Sequence, residues 1–196
     1  MNLLIDTLPT AVEIDGKEYE INSSFRDCLR IILAWEDPEL TSYEKQMIML
    51  QLLYPQPIEN TKTAIDRAIQ FLNGGKIYDG EGSDSPRLYS FAKDANLIFA
   101  AFRQTHGIDL ETTEMHWWKF LALFMDLGAD TAYCNLVNMR KRVKDGTATK
   151  EENKAARDMG DAFDIPESDT RSLEERAQDD EFFKLVAAAQ QKRDGG

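Results

Sequence analysis

Residues 91–127 read FAKDANLIFAAFRQTHGIDLETTEMHWWKFLALFMDL and hold two of the three tryptophans and five of the ten phenylalanines in the chain. At helical spacing Trp117, Leu121, Phe124 and Gly128 form one stripe, and Trp118, Leu121, Ala122 and Met125 form the next. Phe120 and Leu123 widen the apolar arc until little except Lys119 and Asp126 is left to face water. A helix apolar on nearly every side has to be covered on several of them. The pattern predicts a central helix around which the rest of the chain packs. Its surplus apolar surface would also serve a partner or a homo-oligomer. Trp117, Trp118, Phe120, Leu121, Phe124 and Met125 are therefore the candidate core and partner-binding residues.

A chain of 196 residues can build one domain with a real core plus a peripheral tail. Its 42% hydrophobic content is that of a globular protein. The net charge of -12 opposes generic binding to nucleic acid or anionic lipid, so protein partners fit better than either. The N-terminal MNLLIDTLPTAVEIDG lacks the pattern of a secretory signal, and no apolar run approaches the length of a membrane span, which predicts a cytosolic protein. Cys28 and Cys134 are far apart and belong to no C-x-x-C pair, so they read as small core residues rather than a disulfide or zinc site.

Residues 11–21, AVEIDGKEYEI, alternate apolar and polar side chains around Asp15-Gly16, the strongest local signature of a tight hairpin. An isolated hairpin is marginal in water, so this one needs helices to lie on. From Ser23 or Ser24 the period becomes helical, with Phe25, Cys28, Leu29, Ile32 and Leu33 on one face and a stop before Pro38. A second helix starts at Thr41 or Ser42, where Ser42-Tyr-Glu-Lys is less than a full capping box, and ends before Pro55. A third runs from about Asn60 to the stop at Gly74-Gly75. Residues 74–86 are rich in glycine and predict a mobile loop. Beyond them, helices are expected over residues 89–105, 113–127 and 129–143. After Gly146 the chain is strongly charged, with almost no large apolar side chain before Phe182, Phe183 and Leu185. The expected architecture is mainly α: a compact helical domain over residues 1–146 with an N-terminal β-hairpin, followed by a charged, weakly packed helical tail over 147–196.

Catalytic patterns are missing. His106 and His116 are ten positions apart, not the four that a helical zinc pair needs, and capping or core roles suit them better. No nucleophile elbow, paired cysteine motif or P-loop occurs, so neither an enzyme nor a cofactor is expected. One catalytic alternative would bring His116 against Glu114 or Asp94 in a pocket. Arg140, Lys141, Arg142 and Lys144 form the one basic cluster. Near a helix C-terminus they complement the macrodipole as solvated side chains, and the competing reading is electrostatic contact with an acidic partner helix.

Four blocks of the sequence together resemble one family: LPTAVEIDGKEYEINSSFRDCLR, the LYP at Leu53, DANLIFAAFRQTHGIDL, and MHWWKFLALFMDL. It is the bacteriophage "gene product fifteen" family of tailed phages and prophages of Gram-positive bacteria, and the likeness extends over about residues 1–145. The resemblance implies a tail morphogenesis protein of the host bacterial cytoplasm, in the role of a tail assembly chaperone. Its partners would be the tape measure protein and other tail proteins. It implies no catalytic residues, no cofactor and no metal. A structural minor tail component retained in the virion is the alternative role.

Overall fold

The computed structural model describes residues 2–76 and 87–165. Residues 77–86 of the expected loop, and the tail from residue 166 with Phe182, Phe183 and Leu185, lie outside the described residues. The chain is mainly α-helical with one two-stranded hairpin.

Strands β1 (Ala11–Ile14) and β2 (Lys17–Glu20) pair antiparallel, with Ile14 opposite Lys17. Both residues of the two-residue turn have positive φ, 52° at Asp15 and 80° at Gly16, which is the turn that matches strand twist. Ile14, Tyr19 and Ile21 are buried. The support predicted for the hairpin comes chiefly from the third helix, whose Arg67 donates from Nε to the Glu13 carbonyl at 3.0 Å. Asn60 at the start of that helix donates to Asp15 at 2.7 Å.

Three helices follow, α1 (Phe25–Glu36), α2 (Ser42–Leu53) and α3 (Thr61–Leu72). Ser24 caps α1 as its sequence predicts. The cap of α2 is stronger than the pattern at Ser42 suggests. Thr41 and Glu44 close a complete capping box, with each side chain satisfying an N-terminal backbone donor. Pro55 then stops α2, and Tyr54 donates its hydroxyl proton to the Ala64 carbonyl at 2.8 Å, tying α2 to α3.

The helices α4 (Ala95–His106), α5 (Trp117–Met125) and α6 (Ala132–Lys144) are all shorter at their N-termini than periodicity predicts. Residues 89 and 90 are irregular and 91–94 form a turn instead of the first coil of α4, because the Glu36 carboxylate takes donors there. It accepts from Ser90 Oγ at 2.6 Å and from the backbone N–H groups of Phe91 and Ala92, and it pairs with Arg87. Asp94 at the helix entrance does not cap α4, because its carboxylate accepts from Arg140 and from the Ser90 backbone N–H.

Residues 147–165 also pack. Helix α7 (Lys150–Met159) and a single 3-10 turn (Gly160–Ala162) bring Ala156 and Phe163 against Leu136 of α6. The reading of Arg140 as a solvated basic residue is corrected here, since it is 1% exposed. Its guanidinium forms a two-pronged pair with Asp94 at 2.7 and 2.9 Å. It also donates to the carbonyls of Leu88, Ala162 and Phe163. A charge that far from water is tolerated because every arm of the fork has an acceptor. Lys93 adds two bonds of 2.8 Å to the carbonyls of Asp161 and Asp164.

Replacing Arg140 by methionine should cost about 3–5 kcal/mol, because Asp94 would keep a buried charge without its counterion. The same change at exposed Lys141 should be close to neutral, and chemical denaturation of the two variants distinguishes the sites. A chain ending at residue 165 should still unfold in one cooperative transition. One ending at Gly146 should lose Phe163 and two acceptors of Arg140, lowering Tm by roughly 5–10 °C.

Candidate partner-binding groove

The placement of α5 begins at His116. Its Nδ1 accepts the backbone N–H of Trp118 at 3.0 Å, capping the helix, and its Nε2–H donates to the Pro9 carbonyl at 2.8 Å. One neutral tautomer satisfies both bonds. The backbone around it is stitched to the start of α1, with Phe25 N–H on the Met115 carbonyl at 3.1 Å and Trp117 N–H on the Ser23 carbonyl at 2.7 Å. From that start Trp117 and Trp118 point their indole N–H groups at the C-terminal carbonyls of α3. The distances are 2.8 Å to Leu72 and 2.7 Å to Phe71.

The inner face of α5 is a stack of rings. Phe120 lies with its centroid 5.2 Å from Phe25, 5.0 Å from Phe102 and 5.5 Å from Trp117, each pair nearly parallel. Trp117, Phe120 and Phe124 are buried in this stack and belong to the core. Trp118, Leu121 and Met125 lie along the other side of the helix, where Leu121 is half-buried and Met125 is 82% exposed. The six candidates thus grade from core to groove, with Trp118, only 8% exposed, belonging to both.

Those three side chains form one wall of a groove of about 840 Å³. The opposite wall is the last turn of α3 and its exit through Gly74 and Gly75, and Leu3, Pro9 and Val12 close one end. Both glycines have positive φ, 70° and 85°, and their N–H groups return to the Phe71 and Gln70 carbonyls in a Schellman stop. The Trp118 ring lies so close to Gly75 that a Cβ there would meet its Cη2 at 2.8 Å. The groove floor therefore depends on glycine for two separate reasons, conformation and space.

Leu4 and Ile5, 90% and 80% exposed, extend apolar surface from Leu3 at this end. Among the described residues the charged side chains lining the groove are Arg67 and Lys76 and no carboxylate lines it, although the chain has 35 acidic against 23 basic side chains. The N-terminal wall, Arg67 and Lys76 were not singled out by the sequence pattern. The apolar NLLI at residues 2–5 was the available signal, but without the fold nothing attached it to α5.

The basic cluster divides in the same way. Arg140 is buried against Asp94, Arg142 pairs with Glu152 of α7, Lys144 donates to the Arg87 carbonyl at 2.8 Å, and Lys141 is exposed. These residues hold α7 and the chain near residue 87 more than they offer a docking patch.

The catalytic alternative does not assemble. Both ring nitrogens of His116 are held by backbone groups, Glu114 pairs with Arg26 at 2.6 Å, and Asp94 is taken by Arg140. Among the described residues no three histidine, cysteine or acidic side chains converge to hold a metal ion. Burial pushes the Cys28 thiol up to about 12, so it stays protonated and inert at neutral pH. Among the described residues no helix is long and apolar enough to cross a membrane. What the site offers is shape and apolar area with a cationic edge.

The chain matches the family described as "Bacteriophage Gp15 protein" over residues 4–165. That span takes in α7 and Phe163 as well as the hairpin and the groove. No curated protein and no solved structure matches the chain.

Alanine at Phe120 should destabilise the fold by about 3–5 kcal/mol, as expected for deleting a buried ring. Glutamate at Met125 should leave the melting temperature within about 1 °C of the parent, since that side chain faces water. Gly75→Ala should fall between them, at about 1–3 kcal/mol, through positive φ and the clash with Trp118. Thermal melts followed by circular dichroism measure all three.

Proposed function

From the chain's membership of the Bacteriophage Gp15 protein family, a family of phage structural and morphogenesis proteins, we propose that it is a tail assembly chaperone. In this reading it works in the host bacterial cytoplasm and binds the tape measure protein until tail-tube subunits replace it. The observation that carries the reading is the groove beside α5, an apolar trough whose lining includes exposed Met125 and Leu3.

A long helical client exposes apolar stripes along its length before the tube encloses it, and a trough of this kind receives one face of such a helix. Burying a leucine or methionine side chain contributes about 1.5–3 kcal/mol, so covering Leu3, Leu121 and Met125 is enough for a useful but weak contact. Many copies along one client would then hold it by avidity rather than by high affinity at any one site. The net charge of -12 would keep such an assembly soluble.

Co-expressed with its cognate tape measure protein, the chain should keep that protein in the soluble fraction and co-purify in many copies per client. The complex should persist at moderate salt because apolar contacts dominate it. Leu121→Glu combined with Met125→Glu should abolish co-purification while the chain itself stays folded. A tape measure protein that is equally soluble alone, with no complex at any salt concentration, would remove the chaperone reading. Mass spectrometry of purified particles should find the chain absent, and stoichiometric amounts there would favour a minor tail component retained in the virion.

A further inference from the structure

The groove leaves a large apolar surface open on a chain that carries its own matching segment. Beyond residue 165, apart from Leu173, the first large apolar side chains are Phe182, Phe183, Leu185 and Val186. Phe182, Leu185, Val186 and Ala189 follow the spacing of a single helical stripe, directly after the acidic run Asp179, Asp180 and Glu181. The groove presents the complement: apolar walls from Trp118, Leu121 and Met125, a cationic edge from Arg67 and Lys76, and no carboxylate among the described residues.

We propose that residues 179–189 of the same chain occupy the groove as an internal stand-in for a client, and that clients bind by displacing them. Three observations support this occupant. Charge complementarity is the first, because an acidic group followed by an apolar stripe meets cations beside an apolar trough. Reach is the second: the sixteen residues 166–181 can span roughly 50 Å, while a body of this size is roughly 40 Å across. Composition is the third, since the segment is the one apolar cluster in an otherwise charged stretch.

Tethering makes even a weak contact effective. A linker of this kind gives an effective concentration on the order of 1 mM. A segment that binds in trans with Kd on the order of 100 µM would then fill its own groove about 90% of the time and weaken a competitor about tenfold. The groove is covered between clients yet yields to a long ligand that engages many copies together.

The test uses the full-length chain and a fluorescent peptide of residues 178–190, without any tape measure protein, so its result is independent of the chaperone reading. Full-length chain carrying Phe182→Asp and Phe183→Asp should bind the peptide, and the parent should bind it about tenfold more weakly. Adding Met125→Glu and Leu121→Glu to the disabled chain should abolish binding, and circular dichroism should show the fold unchanged. Equal affinity for parent and disabled chain overturns the proposal, as does failure of the disabled chain to bind. Light scattering decides where the segment docks. A monomeric parent supports self-occupancy, whereas a parent dimer dispersed by Phe182→Asp and Phe183→Asp assigns the segment to a second copy and overturns it.

Discussion

The last turn of α3 leaves carbonyls that its own helix cannot satisfy, and two of these, on Phe71 and Leu72, accept the indole N–H groups of Trp118 and Trp117. Indole nitrogen buried without an acceptor would be costly, so both rings are fixed on the end of α3, the Phe71 carbonyl accepting from Trp118 in addition to the Gly74 N–H. Because the two tryptophans are consecutive, their bonds set both the rotation of α5 about its axis and its height along α3. The rotation turns Phe120 and Phe124 into the ring stack and leaves Leu121 and Met125 beside the groove.

The opposite wall follows from the same contact. A Schellman stop at Gly74 and Gly75 lets the chain leave α3 sharply, and the absence of a Cβ at Gly75 lets the Trp118 ring lie against the backbone. His116 joins the third component by capping α5 with one ring nitrogen and holding Pro9 with the other. A change at any of these points would disturb the groove through the fold, even where the altered residue does not face it. Met125 is the useful exception, since little in the core depends on it.

Local chemistry made the hairpin legible, because Asp15 and Gly16 fix the turn within two residues. The central role of α5 was legible from its apolar arc, and the cap at Ser24 from its side chain. Boundaries that tertiary contacts decide were not. Thr113 lies at a plausible helix start, yet α5 waits for His116, whose position depends on Ser23, Ser24 and Pro9. Asp94 and Arg140 are 46 positions apart, and an arginine in a basic run gives no sign that it is buried. Phe163 stands alone in a charged segment without periodicity, so its packing against α6 was equally hidden. The groove was foreshadowed as surplus apolar surface on α5, but its other walls come from residues far away in the chain.

Charge distribution then separates folding from recognition. The basic cluster on α6, which in sequence resembles a docking patch, is largely engaged internally: Arg140 neutralises Asp94, Arg142 meets Glu152 and Lys144 holds the Arg87 carbonyl. Cationic character at the groove comes instead from Arg67 and Lys76, two residues of no conspicuous pattern. On a chain of charge -12, a trough that no described carboxylate lines suits the acidic-flanked apolar helix proposed as its occupant. In the proposed docking, repulsion from acidic side chains elsewhere on the surface would disfavour other orientations, so the acidity of the chain would itself favour the groove as the docking place.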